Sequence, residues 1–147
     1  MRQPLFPSHF QLRNTWRLEL GRGVPLRLAL QLHEADLLMD LRALDVESID
    51  LRTDSGAQQI RVGKPRHKIV GQIYSSSADL SIILPSFTFL HVRLLNPFCR
   101  VDYPQGDLER REDGSLVSPS GTDVDGTVEF TIDGPIRNLV LDIADPL

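Results

Sequence analysis

The sequence predicts an all-β protein, on three observations. Helical periodicity is nearly absent from the 147 residues, whereas short runs alternate apolar and polar with period two, the mark of half-buried strands. Small or polar turn residues separate those runs. Strand–turn–strand segments also recur at a steady spacing of about 20 residues, which suits a short single-stranded β-helix, a β-solenoid whose turns stack in register. A β-sandwich is the rival architecture, since its strands also alternate, at intervals of about 8–12 residues.

Along the chain, LRLALQL (26–32) sets Leu26, Leu28, Leu30 and Leu32 on one face, and DLLMDL (36–41) does the same with Leu37, Met39 and Leu41. IDL (49–51) and IRV (60–62) flank a Ser55-Gly56-Ala57 turn. LSIIL (80–84), LHVRL (90–94), CRVDY (99–103), TVEFTI (127–132) and LVLDI (139–143) continue the pattern. Three of the strand–turn–strand segments end in proline, at 65, 85 and 104, at the limit of a ladder where a missing N–H is tolerated. Ala35-Asp36-Leu37 and Ala78-Asp79-Leu80 correspond at an interval of 43, about two periods, and 133–143 reads as a closing copy. The aperiodic, Gly-, Pro- and charge-rich stretch 104–126 is expected to be a long loop. The domain reading is an N-terminal extension over 1–15 and one β-domain over 16–147.

Composition narrows the function classes. Hydrophobic residues at 41% and charged residues at 24% are ordinary for a globular chain, and a net charge of −4 gives no pull toward nucleic acid. The cations are 14 Arg and 2 Lys, an imbalance read as a compositional habit, not as a phosphate-binding face. The lone Cys99 excludes an intrachain disulfide and reads as a small apolar side chain. The longest apolar-leaning stretch, 80–98, carries Pro85, His91, Arg93, Asn96 and Pro97, so direct membrane insertion is not expected. The expected location is soluble and cytoplasmic, with any membrane association made through a partner.

Candidate chemistry is thin. Ser75, Ser76 and Ser77 invite a nucleophile reading, but no glycine flanks them as a hydrolase elbow requires and the loop opens a strand; a tight turn is expected. His9, His33, His67 and His91 lack metal-ligand spacing. Asp123-x-Asp125-Gly126 resembles a calcium loop, but with Gly126 in the sixth position the first and twelfth fall on Gly121 and Ile132, which offer no carboxylate. Asp102, Asp107 and Glu109 are the acids best placed for glycan cleavage, on one exposed loop with little cleft. Arg27, Arg52, Arg61, Arg93 and Arg100 are expected to point outward beside Asp36, Asp50, Asp54, Asp79 and Asp102 as a mixed-charge wall. Phe6, Phe10 and Trp16 are candidates for capping or contact; Phe87, Phe89 and Phe98 are expected to fill core. No catalytic, cofactor-binding or metal-ligating residue is assigned.

The run GVPLRLALQLHEADLLMDLRALDVESIDLRTDSGAQQIRV (23–62) resembles the bacterial toast-rack domains at the C-terminus of LiaF-like cell wall-active antibiotics response proteins and PspC-associated proteins. Pro25-Leu26 stands at the opening of that pattern, Glu34-Ala35-Asp36 and Ser55-Gly56-Ala57 in its turns, and Met39-Asp40-Leu41 at its Leu-Asp-Leu strand. DGSLVSPSGTD (113–123) followed by GTVEFTIDGPIRNLVLDI (126–143) is similar to its terminal strand pair, and the likeness spans roughly 16–143. It implies a stacked single-stranded β-helix and a non-enzymatic protein-interaction or sensory role in the cell-envelope stress response. It supplies no catalytic residue or cofactor. A membrane or regulatory protein is the implied partner, with self-association through coil ends or edges as a consequence of exposed strands. From another class, the competing reading is a small carbohydrate-binding or carbohydrate-active β-helix protein.

Overall fold

Two β-sheets, both mostly parallel, make up the computed structural model, which describes residues 17–96, 100–119 and 126–145. In chain order the strands are β1 (Leu26–Glu34), β2 (Leu37–Asp40), β3 (Val46–Ser55), β4 (Ala57–Arg61), β5 (Ile69–Ser75), β6 (Asp79–Pro85), β7 (Phe89–Leu94), β8 (Arg100–Asp102), β9 (Glu109–Arg110), β10 (Leu116–Val117), β11 (Thr127–Asp133) and β12 (Asn138–Ala144). The larger sheet has the spatial order β1-β3-β5-β11-β7-β10-β9, and the smaller has β2-β4-β6-β12-β8. The two orders match strand for strand: each of β1, β3, β5, β11 and β7 is followed in the chain by the strand holding the equivalent place in the other sheet.

Alternation places the core. In β5 the burial runs strictly buried–exposed from Ile69 to Ser75, and β6 and β11 bury Leu80, Ile82, Leu84 and Val128, Phe130, Ile132. Register then lines the buried side chains into rungs. One rung runs Leu28–Ile49–Gly71–Phe130–Val92, another Leu30–Leu51–Ile73–Ile132–Leu94. In the smaller sheet the matching rungs are Leu37–Gln58–Leu80–Leu139–Val101 and Met39–Ile60–Ile82–Leu141. Residues of both sheets share a single hydrophobic cluster. The rung through Leu37 and Leu80 joins the two Ala-Asp-Leu triplets. The prolines are out of step: Arg61 pairs with Ile83, so Pro85 lies opposite the region of Gly63 and not of Pro65.

Chain order and spatial order part company at the end. The pair β11/β12 does not close the stack; it lies between β5/β6 and β7/β8. The three-residue link Ser86–Thr88 must therefore step over a strand position while crossing from the smaller sheet to the larger. The inserted pair is tied on at both sides of that link: Ser86 N–H donates to the Ala144 carbonyl at 3.0 Å, and Phe89 N–H, at the start of β7, to that of Gly126 at 2.9 Å. Phe87, expected in the core, instead sits at the crest of the link with φ 56° and 71% of its surface exposed. Phe89 is half-buried, and Phe98, Cys99, Phe6, Phe10 and Trp16 lie outside the described residues.

The stretch 104–126 is less irregular than expected. β9 and β10 form a small antiparallel ladder, β10 pairs antiparallel with β7, and Leu108, Leu116 and Val117 are buried. Ser118 fastens its end, accepting the Leu90 N–H at 2.8 Å through its hydroxyl. Two-residue strands give no periodicity, so composition alone made the segment read as loop. At the other end, residues 17–25 carry no strand and the first begins at Leu26.

Gly71 occupies its rung because Phe130 needs the space: a Cβ there would stand 2.2 Å from a carbon of the Phe130 ring. Gly71→Ala is expected to destabilise the fold by about 1–3 kcal/mol through overpacking. In a Phe130→Leu background the same change is expected to cost clearly less, a coupling that a denaturant-melt double-mutant cycle measures directly.

Candidate functional site

Outward side chains of the larger sheet line an open groove. Register places Asp50, Gln72, Thr131 and Arg93 in one outward row, with Thr131 half-buried, and Arg52, Tyr74 and Asp133 in the next, with Leu95 beyond. Asp50, Arg52, Gln72, Ile73, Tyr74, Leu95, Thr131 and Asp133 line this groove of about 340 Å³ across β3, β5 and β11. Tyr74 is 46% exposed and Leu95 53%, so each offers a large apolar surface to solvent. Asp133 Oδ1 also accepts the N–H of Gly134 at 2.7 Å, fixing its carboxylate at the groove's rim. Gly134 follows at φ 98°, where an added Cβ would stand 2.1 Å from the Ser75 carbonyl oxygen.

The groove combines one aromatic face, one guanidinium, two carboxylates, an amide and a hydroxyl. That set can hold an extended polar chain by hydrogen bonds and by stacking on Tyr74. Asp50 and Asp133 are separated by two strand spacings and two residues along the strand, about 12 Å at Cα. Sequence reading missed this site, because its members come from strands up to 83 positions apart and meet only through register.

The serines are turn residues in the structure. Ser75 is fully buried and its hydroxyl accepts the Ala78 N–H at 3.2 Å. Ser76 N–H bonds the Thr53 carbonyl, and the Ser76 hydroxyl donates to that of Asp54 at 2.7 Å. Beside them lies a pair the sequence did not announce, His33 Nδ1 and Asp54 Oδ2 at 2.9 Å. A nucleophile triad needs the imidazole between serine and carboxylate. Here Asp54 stands between His33 and Ser76, and the serine hydroxyl is committed to backbone, so no relay forms.

Among the described residues no group of three His, Cys, Asp or Glu side chains converges to hold a metal. His67 and His91 lie apart, on a loop and on β7; His9, Asp123 and Asp125 are outside the described residues. Asp102, Asp107 and Glu109 are exposed and none lines the groove. The mixed-charge wall exists, with Arg100 and Asp102 near one another as expected and the remaining pairs drawn partly from other residues. Arg27 bonds Glu47 at 2.9 Å, Arg100 approaches Asp102 at 3.7 Å, and Asp79 is held by Arg137, at 3.1 and 2.9 Å. Asp36 instead accepts the Ala57 N–H at 3.0 Å, and Arg61 is half-buried. No helix among the described residues is long and apolar enough to cross a membrane.

Four carboxyls are held below their ordinary range by hydrogen-bonding partners: Asp40 by Arg42, to about 2; Asp79 by Asn138 and Arg137; Asp113 by Ser115; and Glu129 by Lys68. None of the four lines the groove. The described residues thus form an all-β structure of two mostly parallel sheets with an open polar–aromatic groove on one outer face. No family model, no curated protein and no solved structure matches the chain.

A depressed carboxyl pKa contributes stability that is present above the unfolded value and lost as pH falls toward the folded one. For Asp40 that window runs from 3.8 down to about 2, and its exposure keeps the contribution within about 1 kcal/mol. Urea midpoints of the native chain and Asp40→Asn are expected to differ above pH ~4 and to converge as pH approaches ~2.

Proposed function

We propose that the chain is a short stacked β-coil of toast-rack type and acts as a non-enzymatic protein-interaction module, the groove being its contact face. The coil reading, over a sandwich, is supported by the matching order of five strands in the two sheets and by the parallel register through those five in each. A sandwich built from hairpins would be mostly antiparallel. The setting in bacterial envelope stress, with a membrane or regulatory protein as partner, rests on the sequence resemblance.

The observation that carries the binding role is the exposure of Tyr74 and Leu95 inside a frame of Asp50, Arg52 and Asp133. An aromatic and an aliphatic anchor ringed by both signs of charge favour a peptide segment that brings its own apolar side chain and a charge. The groove lies on the sheet face and is open, so it presents a surface more than it encloses a reactant.

A second reading has its own observation. Tyr74 beside Asp50, Gln72 and Asp133 is also the composition of a sugar-stacking platform, so a glycan ligand is the alternative. Carboxyls on strands about 12 Å apart at Cα suit holding hydroxyls better than the closer pairs that retaining glycosidases use.

The two are separated by the doubly altered chain Tyr74→Ala/Arg52→Glu, whose changes lie on exposed positions. The native chain is expected to retain a protein from envelope-stressed cells that the altered chain does not retain, with both melting alike. Equal retention by both, or Tyr74-dependent binding to immobilised glycans with no groove-dependent protein, would overturn the protein-contact reading.

A further inference from the structure

The two ends of the sheets differ. At one end the larger sheet finishes in β9, two residues long and made of Glu109 and Arg110, and the smaller in β8, three residues long. Short, charged edge strands are the ordinary protection against edge-to-edge pairing. At the other end stand β1, nine residues long, and β2, both edge strands of the described sheets. No proline, glycine or inward charge interrupts β1 from Leu26 to Leu32. Its inward residues Leu26, Leu28, Leu30 and Leu32, with Leu37 and Met39 of β2, are only half-buried, whereas their rung neighbours Ile49, Leu51 and Ile60 are fully buried.

We propose that this end is a homodimer interface, β1 pairing antiparallel with β1 of a second copy about a two-fold axis at Ala29. The strand's own sequence argues for a second copy as occupant. With Ala29 opposite Ala29, Leu26 faces Leu32 and Leu28 faces Leu30, so every inward leucine meets a leucine. On the outer face Arg27 then meets Gln31, and no like charges oppose one another. Shifting the axis to Leu30 sets Leu26 against Glu34 and Arg27 against His33, and shifting it to Gln31 sets Leu28 against Glu34. An axis at Leu28 also sets leucine on leucine but pairs only residues 26–30 and leaves Leu32 beyond the partner's strand. The Ala29 register is thus the one that pairs all four inward leucines within β1.

The axis stands perpendicular to the sheet, so the dimer carries its two grooves on the same side. This interface is distinct from the groove: its loss would leave the proposed partner contact of a single chain intact, and loss of groove binding would leave the dimer intact.

The test uses the full chain in a Cys99→Ser background. Ala29 is exposed, so Ala29→Lys sets two ammonium groups face to face without entering the core. Sedimentation at micromolar concentration is expected to show a dimer whose dissociation constant rises at least tenfold in Ala29→Lys and stays unchanged in Val140→Lys, a change on the outer face of the smaller sheet. Ala29→Cys is expected to cross-link two chains under mild oxidation and Gln31→Cys to do so far less. A monomer at all concentrations, a dimer indifferent to Ala29→Lys, or cross-linking no greater at 29 than at 31 would overturn the proposal. So would a monomer that dimerises only once residues 1–16 are deleted, because those residues would then be the end's occupant.

Discussion

The pairing of β11 with two neighbours at once is the constraint on which the rest of the structure depends. It lies parallel to β5 over Val128–Asp133 and parallel to β7 over Thr127–Ile132, while β12 pairs with β6 and β8 in the smaller sheet. Without it, β7 would have no parallel partner in the larger sheet and the Ser86–Thr88 link would leave an unfilled row of backbone donors and acceptors. Unpaired buried backbone groups cost on the order of 1–3 kcal/mol each, so the slot must be filled for the sheets to hold. The insertion also makes the fold strongly non-local. Its two sides are secured from segments more than 30 residues away: Phe130 into the space that Gly71 leaves, Asp79 to Arg137 and Asn138, and Asn96 to the Gly134 carbonyl at 2.8 Å.

The same insertion builds the groove. Thr131 and Asp133 belong to the last strands of the chain, Asp50 and Arg52 to an early one, and β5 brings Gln72 and Tyr74 between them. Were β7 the neighbour of β5, His91 and Arg93 would occupy the place of Glu129 and Thr131, and the surface would be more basic. A polar, mixed-charge outer row on a stiff parallel sheet presents its side chains at fixed spacings, about 4.8 Å across strands and 6.7 Å along them. Such a grid suits recognition of an extended chain. The half-buried leucines at the β1 end underlie the proposed second contact, which would be made by backbone and apolar rungs instead of side-chain polarity.

What could be read in the sequence was facing, and what could not was neighbourhood. Leu26–Leu32 and Thr127–Ile132 announced their strands because alternation is a local property, and the 43-residue interval between Leu37 and Leu80 survived as a shared rung. Gly71 interrupts the alternation of β5 for a reason 59 residues away, and no local signal reveals it. The prolines at 65, 85 and 104 kept time in sequence but not in register, because the link after β4 is longer than those after β2 and β6. Phe87 was assigned to the core from its apolarity alone, whereas a three-residue crossing leaves its middle side chain outside. His33–Asp54 and the Tyr74 groove likewise exist only once register is known.

Cross-strand nuclear Overhauser effects decide the strand order most directly. The order β5-β11-β7 is expected to give contacts from the Phe130 ring to Gly71 on one side and to Val92 methyls on the other, with backbone contacts linking Ile73 to Ile132 and Ile132 to Leu94. Direct backbone contacts between Ile73 and Leu94, with Phe130 touching only one of its two neighbours, would contradict the inserted strand and the groove built upon it.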